Sequence, residues 1–528
     1  MSRCHGAGVA GQHPRSHRLS SLLAGLPVSL PSNDPLIEGV VLDSRRVKPG
    51  DLYVGLPGAS QHGAGFASAA EAAGAVAMLT DPEGRRLAAG TRLPLAVSDD
   101  PRTAMAWASC RMFGDPAQSM TSFGVTGTNG KSTTVLMLAA ALEGAGRVVG
   151  SIGTLGFLLG GQPIQVERST ITTPEAPDLQ ALLAQMLSKG ADTMAMEVSS
   201  HALALQRVAG VTFDVVGFTN LGRDHLEFHH TMAEYFAAKA RLFTPGYARR
   251  AVVNGDDEAG RRLVVQAISL GLPMVTVGFG ADCDYRVTSW AASGSGSEFT
   301  LAHPGGELTA SVCLPGDYNV RNGATALAMI DQSGLDMSAA LPGLARAVIP
   351  GRMQPVDLGG GSPRVYVDFA HTPQAIASAL NALNPPGPTR RTRVIAVLGA
   401  GGDRDPDKRE PMGRAAAEGA DVVVVTDDNP RSEDPASIRA RVMGGARAVL
   451  DAAQPGSRLA TVQLIDGGER RTAIGLALRL ASPSDAVAIL GKGHERTQQL
   501  ADRTVEFDDV EVVRQQWADI ARQTEGGE

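Results

Sequence analysis

Short apolar runs recur along this chain, each followed by a polar, glycine-bearing turn and then by a longer stretch with helical spacing. In the middle third, "TSFGVTGTNGKSTTVLMLAAALEGAG", "DTMAMEVSS", "FDVVGFTN", "RAVVNGDD" and "MVTVGFG" follow this rule. Apolar runs separated by helical windows predict a mainly parallel sheet with helices on its faces. Earlier, "IEGVVLDSRRVKPGDLYVGLPG" reads as two short strands with polar turns, and "FASAAEAAGAVAMLT" as a helix running into a strand. That part is a small mixed α/β module. Later, "LAHPGGELTASVCLPGDYNVRNGATALAMI" shows strand alternation and then a helix beginning near Asn319. Pro and Gly accumulate in "VIPGRMQPVDLGGGSPR", which places a boundary near Pro350. Beyond it, "RVYVDFA", "RVIAVLGA", "ADVVVVT" and "DAVAILG" are strands of a second doubly wound unit. The expected class is α/β, with a disordered tail over 1–18 and domains over 19–114, 115–350 and 351–528.

Composition narrows the function. At 528 residues the chain is long enough for several domains, and 43% hydrophobic with 20% charged residues is globular. A net charge of −7 and aromatics at 4% argue against nucleic acid as partner. Cys4, Cys110, Cys283 and Cys313 are far apart with no C-x-x-C spacing, so neither a zinc cluster nor a disulfide framework is expected. The opening "MSRCHGAGVAGQHPRSHR" lacks the apolar core of a signal peptide, and no run reaches the ~20 residues that span a bilayer. A monomeric cytoplasmic enzyme, without membrane insertion, is the expectation.

The first chemical signal is "GVTGTNGKST" at 124–133, between a strand and an alanine-rich helix. Gly127, Thr128, Asn129 and Gly130 offer backbone N–H groups to an anion, and Lys131 adds charge. Ser132 offers a hydroxyl to Mg²⁺, and Thr133 completes the turn. Gly124 and Gly130 enclose five residues where the usual phosphate loop has four, so the loop is a variant. Glu197 and His225 follow successive strands, and a carboxylate at such a strand end can hold Mg²⁺ beside Ser132. Lys239, in "EYFAAKARLF", reads from its surroundings alone as an ordinary helix lysine.

In this order, "GTNGKST", "MEVSSHAL", "TNLGRDHLEFH", "YFAAKARLF", "NGDD", "PGDYNVRN" and "VDFAHTP" resemble the Mur ligases. These are ATP-dependent amide-bond formers of peptidoglycan precursor synthesis. The resemblance covers nearly the whole chain after the tail. It implies a UDP-sugar-binding N-terminal module, a central P-loop-type ATPase and a Rossmann-like C-terminal domain. It further implies that Lys131, Glu197, His225 and Lys239 are catalytic, Lys239 as a carbamylated lysine (N6-carboxylysine). Ser132 and Glu197 would ligate one Mg²⁺, with His225 and Lys239 near a second. Asn319, Arg352, Asp368 and His371 match residues around ATP.

Within the family, "LDSRRVKPGDLYVGLPG", "STITTPEAPDLQ" and "VSSHALALQRV" resemble the enzymes that add the third peptide residue. Leu42, Ser44, Ala59, Ser60, Gln61, Thr172, Thr173, Ser199 and Arg207 would then hold the UDP-N-acetylmuramoyl-dipeptide. Leu205 departs from the pattern, which has glutamine there. Arg404, Asp428, Asn429, Pro430, Arg431, Gly491 and Glu495, after three strand ends, resemble the pocket for meso-diaminopimelate. Two ammonium and two carboxylate groups suit such mixed charges, and lysine would leave Arg431 uncompensated. The expected reaction makes an acyl phosphate from ATP and the D-glutamate γ-carboxylate, which the amine of diaminopimelate then attacks. Rival expectations are a lysine-adding ligase, a folate-polyglutamate-type ligase and a catalytically inactive nucleotide-binding regulatory protein.

Overall fold

The computed structural model describes residues 16–58, 60–164, 172–293, 296–384 and 392–525. Most of the expected tail, with Cys4, and the expected ligand residue Ala59 lie outside the described residues. The tail is shorter than expected at its described end, because His17–Arg18 pair antiparallel with Leu36–Ile37. The physical reason is the anchor that follows: Leu19, Leu22 and Leu23 are buried in the first core.

The chain forms two compact units. The first runs to Thr288 and takes in Leu301–Leu308 and Asn322–Leu344; the second comprises Ser289–Thr300, Thr309–Arg321 and Ala345 onward.

Besides the His17–Arg18 and Leu36–Ile37 pair, the first unit holds strands of two larger sheets. One is parallel, in the order Gly39–Val41, Asp51–Gly55, Ala77–Thr80, Leu95–Val97. Leu52, Val54 and Leu79 meet Ala104, Met105 and Ala108 of helix Pro101–Met112 in its core. Within the other, eleven-stranded sheet lies a run of strands in the order Gln162–Pro163, Gly156–Leu159, Val149–Gly153, Thr193–Glu197, Thr121–Thr126, Phe213–Phe218, Ala248–Asn254, Met274–Gly278. These strands are parallel apart from the antiparallel hairpin at the start of that order. Strands buried on both faces read as continuous apolar runs, which is why the sequence pattern found them. Thr121–Thr126 is flanked on both sides, and in register Glu197 lies opposite Val125 and Phe218 opposite Thr126. The strand ends that carry chemistry therefore come together at one edge.

The second unit has a six-stranded sheet in the order Gln354–Val356, Arg364–Asp368, Ala486–Leu490, Val394–Leu398, Val422–Thr426, Gln463–Gly468. Only the first pairing is antiparallel. Turns 399–405, 427–434 and 491–495 leave three adjacent central strands at their carboxyl ends, and the hairpin Thr497–Gln499 with Thr504–Glu506 follows the last. A fully buried Arg470–Asp509 ion pair fixes the start of the final helix, Asp509–Glu525.

Candidate active site

The phosphate loop connects strand Thr121–Thr126 to helix Lys131–Gly144. Gly127 and Gly130 have φ of 153° and 86°, a region that favours glycine. A Cβ at Gly130 would lie 2.7 Å from Asn322 Oδ1, so the loop is packed against a residue that the motif reading did not single out. Its signal was a second asparagine in "NVRN", one helical turn after Asn319. Lys131 Nζ donates to the carbonyls of Gly127 and Thr128 at 3.0 and 2.9 Å. Ser132 and Thr133 are buried at the helix start, and the nearby Thr126 hydroxyl is buried without a partner among the described residues.

Lys239 is buried at 1% exposure and donates to the same Gly127 carbonyl, at 2.7 Å. Its Nζ also lies 4.5 Å from the centre of the Tyr235 ring. Burial, and next the charge of Lys131, hold its ammonium well below the ordinary lysine range. The helix lysine of the sequence pattern is thus a sequestered amine at the phosphate loop. Tyr235 links three groups: its hydroxyl is 3.2 Å from Thr128 Oγ1, and its ring is edge-on to His225 at 6.1 Å. His225 sits in the left-handed region at φ 54°, against His201 at 4.9 Å. Burial and the neighbouring histidines bring His201 down to about 4.

Glu197, 2% exposed, accepts from Thr154 N at 2.8 Å and from the Thr154 hydroxyl at 3.2 Å. Thr172 Oγ1 is 3.0 Å from Thr154 Oγ1, and Thr173 donates to the Glu197 carbonyl at 2.9 Å. Thr172 and Thr173 are therefore brought to Glu197. Ser199 caps helix Ser200–Ala204 through Ala202 N. Arg207 donates to Glu175 at 2.9 Å and to the Thr173 carbonyl at 3.2 Å. Leu205 contributes only backbone groups among the described residues: its N–H donates to His201 O at 2.8 Å and its carbonyl accepts from Arg102 at 3.4 Å. The neighbouring Gln206 does not take over the expected glutamine's place, since Tyr247 donates to it at 2.9 Å. On the smaller sheet, Tyr53 donates to Gly63 O at 2.7 Å and hydrogen-bonds Ser44. This ties Ser44, two residues after Leu42, to the turn carrying Ser60 and Gln61.

Metal fit depends on the donor set. Ser132 and the Lys239 amine lie at the loop and Glu197 ends the neighbouring strand, but among the described residues no group of three or more His, Cys, Asp or Glu forms a metal cage. Such a sparse set suits Mg²⁺, which keeps waters and takes phosphate oxygens rather than an all-protein shell.

In the second unit, Asp368 accepts from Met353 N at 2.6 Å, and burial raises its pKa against the pull of Arg352. The Arg352 guanidinium lies 4.6 Å from the Phe369 ring centre, and His371 packs on that ring at 4.5 Å. His494 also packs there, at 5.1 Å, with burial lowering it to about 4. Asn319, 2% exposed, donates to the Pro315 carbonyl at 2.8 Å.

The turns after the central strands of this unit converge as expected. A Cβ at Gly491, φ 116°, would lie 2.5 Å from Asp428 Oδ2, so only glycine lets that carboxylate in. Asp428 is 8% exposed, and its carboxylate accepts no hydrogen bond among the described residues. Asn429 donates to Glu495 Oε2 at 2.8 Å. Pro430 is buried, and Arg431 follows it at φ 53°. Arg431 is held there by its N–H to Gln499 O, Nε to Gln499 Oε1 and Nη1 to Gly402 O, at 3.1, 2.8 and 2.6 Å. Its Nη2 carries no bond to a described residue, and Arg404 is exposed beside it. The sequence reading missed Gln498, Gln499 and Lys492. Lys492 was within the quoted "GKGHE", but a charged residue after an apolar strand gives no sign of burial.

Sequence models of three Mur ligase domains match successive stretches. They are the Mur ligase family, catalytic domain at 36–107, the Mur ligase middle domain at 125–330, and the Mur ligase, glutamate ligase domain at 351–493. A UDP-N-acetylmuramoyl-L-alanyl-D-glutamate--2,6-diaminopimelate ligase of Streptomyces avermitilis is 43% identical over 520 residues, 97% of this chain and 98% of the relative. The chain belongs to the Mur ligase family. A second Mur ligase relative, the UDP-N-acetylmuramyl-tripeptide synthetase of Leifsonia xyli, is also 43% identical, over 94% of this chain and 95% of its own. The name of that relative leaves the amino acid open. A solved Mur ligase structure described as UDP-N-acetylmuramoyl-L-alanyl-D-glutamate--2,6-diaminopimelate ligase superposes with a TM-score of 0.69. It is 30% identical and covers 96% of this chain and 100% of its own.

Proposed function

We propose that this Mur ligase is a cytoplasmic, ATP-dependent enzyme that joins meso-2,6-diaminopimelate to UDP-N-acetylmuramoyl-L-alanyl-D-glutamate. Relatives 41–44% identical carry the diaminopimelate name, and the pocket agrees with it. One observation carries the choice: the turn 427–434 presents a buried carboxylate without a described donor, Asp428, three residues from a guanidinium with Nη2 open, Arg431. Diaminopimelate supplies an ammonium and a carboxylate at its far end, whereas lysine supplies only an ammonium there.

Lys131 and the N–H groups of 127–133 hold the phosphates of ATP, and Asn319, Arg352, Asp368 and His371 are the nucleotide-binding residues of the second unit. Leu42, Ser44, Ala59, Ser60, Gln61, Thr172, Thr173, Ser199 and Arg207 hold the UDP-sugar dipeptide. The neutral Lys239 amine adds CO₂ and loses a proton, becoming a carbamate anion. Ser132, Glu197, His225 and this carbamate would hold two Mg²⁺, which neutralise charge on the transferring phosphoryl group. The γ-carboxylate of D-glutamate takes the γ-phosphoryl of ATP. The free amine, held with Arg404, Asp428, Asn429, Pro430, Arg431, Gly491 and Glu495, displaces phosphate to form the amide. The protein positions the reactants and balances charge.

An amino-acid panel tests this. Purified protein with ATP and the UDP-dipeptide should release phosphate with diaminopimelate and at most one-tenth as fast with lysine, the loss of a bidentate contact. Equal turnover with lysine would sink the assignment.

A further inference from the structure

Lys492 is 0% exposed, yet it immediately follows Gly491 at the amino-acid pocket. A buried ammonium needs compensating oxygens, and three lie within reach. Nζ donates to Thr497 O at 2.6 Å, Glu495 Oε2 at 3.1 Å and Asn429 Oδ1 at 3.3 Å. These contacts settle an orientation that otherwise has two solutions. An ammonium can only donate, so it fixes the oxygen of the Asn429 amide toward itself, and Gln499 N, also a donor, reaches the same oxygen at 2.9 Å. The amide nitrogen is thereby turned to Glu495 Oε2. That oxygen carries two donors, while Oε1 takes none among the described residues. Glu495 is left with one open oxygen on a half-compensated carboxylate. The same ammonium, through Thr497 O, ties the hairpin Thr497–Gln499 beneath the turn whose Arg431 that hairpin grips.

We propose that Lys492 is a positioning residue for amino-acid specificity: it fixes the amide of Asn429 and occupies one oxygen of Glu495, so that the other oxygen receives the ammonium group of the incoming amino acid. Lys492 itself does not touch the substrate. Its removal frees Asn429 to flip, leaves Glu495 to close on Asn429 alone and weakens amino-acid binding, while ATP binding is untouched. This rests on the pocket reading given above.

A double-mutant cycle tests it, with Lys492→Met, Glu495→Gln and the pair. Lys492→Met should raise KM for the amino acid about tenfold or more, the effect of losing hydrogen bonds to a charged group. It should leave kcat within about threefold and KM for ATP unchanged, a split that loss of folded protein does not give. The pair should cost clearly less than the sum of the two single changes, because both disturb the Glu495 carboxylate. Lys492→Gln, which keeps a donor, should recover part of the amino-acid affinity and serves as the starting variant should the Met protein not fold. Additive effects in the cycle, or a loss confined to kcat, would overturn the proposal. The cycle is run with whichever amino acid the wild-type protein incorporates. Failure of the diaminopimelate assignment would therefore show in the wild-type panel and leave the cycle readable.

Discussion

Lys239 shows how far one residue's chemistry depends on where it is put. In "EYFAAKARLF" it is one cation among 48 Lys and Arg, yet it is sealed against the phosphate loop with its ammonium disfavoured. Two lysines share the Gly127 carbonyl. The sign of the shift is the one that carbamylation needs. A folded-state pKa far below the ordinary value makes the neutral amine more populated at neutral pH, and only that form attacks CO₂. Lys239→Ala should therefore lower kcat for phosphate release by about a hundredfold or more, as expected for a lost electrostatic partner of phosphoryl transfer. Adding acetate or formate should restore part of it by standing in for the carbamate. Full activity without added carboxylate would remove the role.

At the scale of elements, the second unit uses buried ionic contacts where a core would ordinarily be apolar. Arg470 and Asp509 are both fully buried and bonded at 2.7 and 2.8 Å, and Arg470 also donates to Leu490 O at the end of a central strand. The pair joins helix Arg470–Leu480, helix Asp509–Glu525 and the strand that leads into the Gly491 turn. Removing one partner strands a buried charge, so Arg470→Met should cost about 3–5 kcal/mol in a urea titration of this unit. Arg470→Met with Asp509→Leu should recover much of that, because the uncompensated charge is gone. A single-variant loss below about 1 kcal/mol would contradict this account. The hairpin Thr497–Gln499 is a second such element. Its side chains and backbone bond to residues 428–431, which explains how Arg431 stays in a conformation that non-glycine residues seldom adopt.

For the whole molecule, two compact units with separate apolar cores predict unfolding in more than one step. Calorimetry with added ADP should stabilise the first unit, which contains the phosphate loop, by about 2.7 kcal/mol at a hundredfold excess over Kd, and more than it stabilises the second. Diaminopimelate should move the transition of the second. A single transition shifted equally by both ligands would argue against that division. The sequence by itself determined much here. Continuous apolar runs marked the strands of both larger sheets, and the spacing of "GTNGKST" marked the loop, because backbone needs at a strand-to-helix turn are local. It also placed Asp428, Arg431 and Glu495 after strands whose ends must converge if the sheet is parallel. Tertiary structure alone decided the burial of Lys239 and Lys492, the packing of Asn322 against Gly130 and the grip of Gln499 on Arg431. Each depends on partners distant in sequence, and neither the burial of a charge nor the partner of a hydrogen bond has a period that a chain can display.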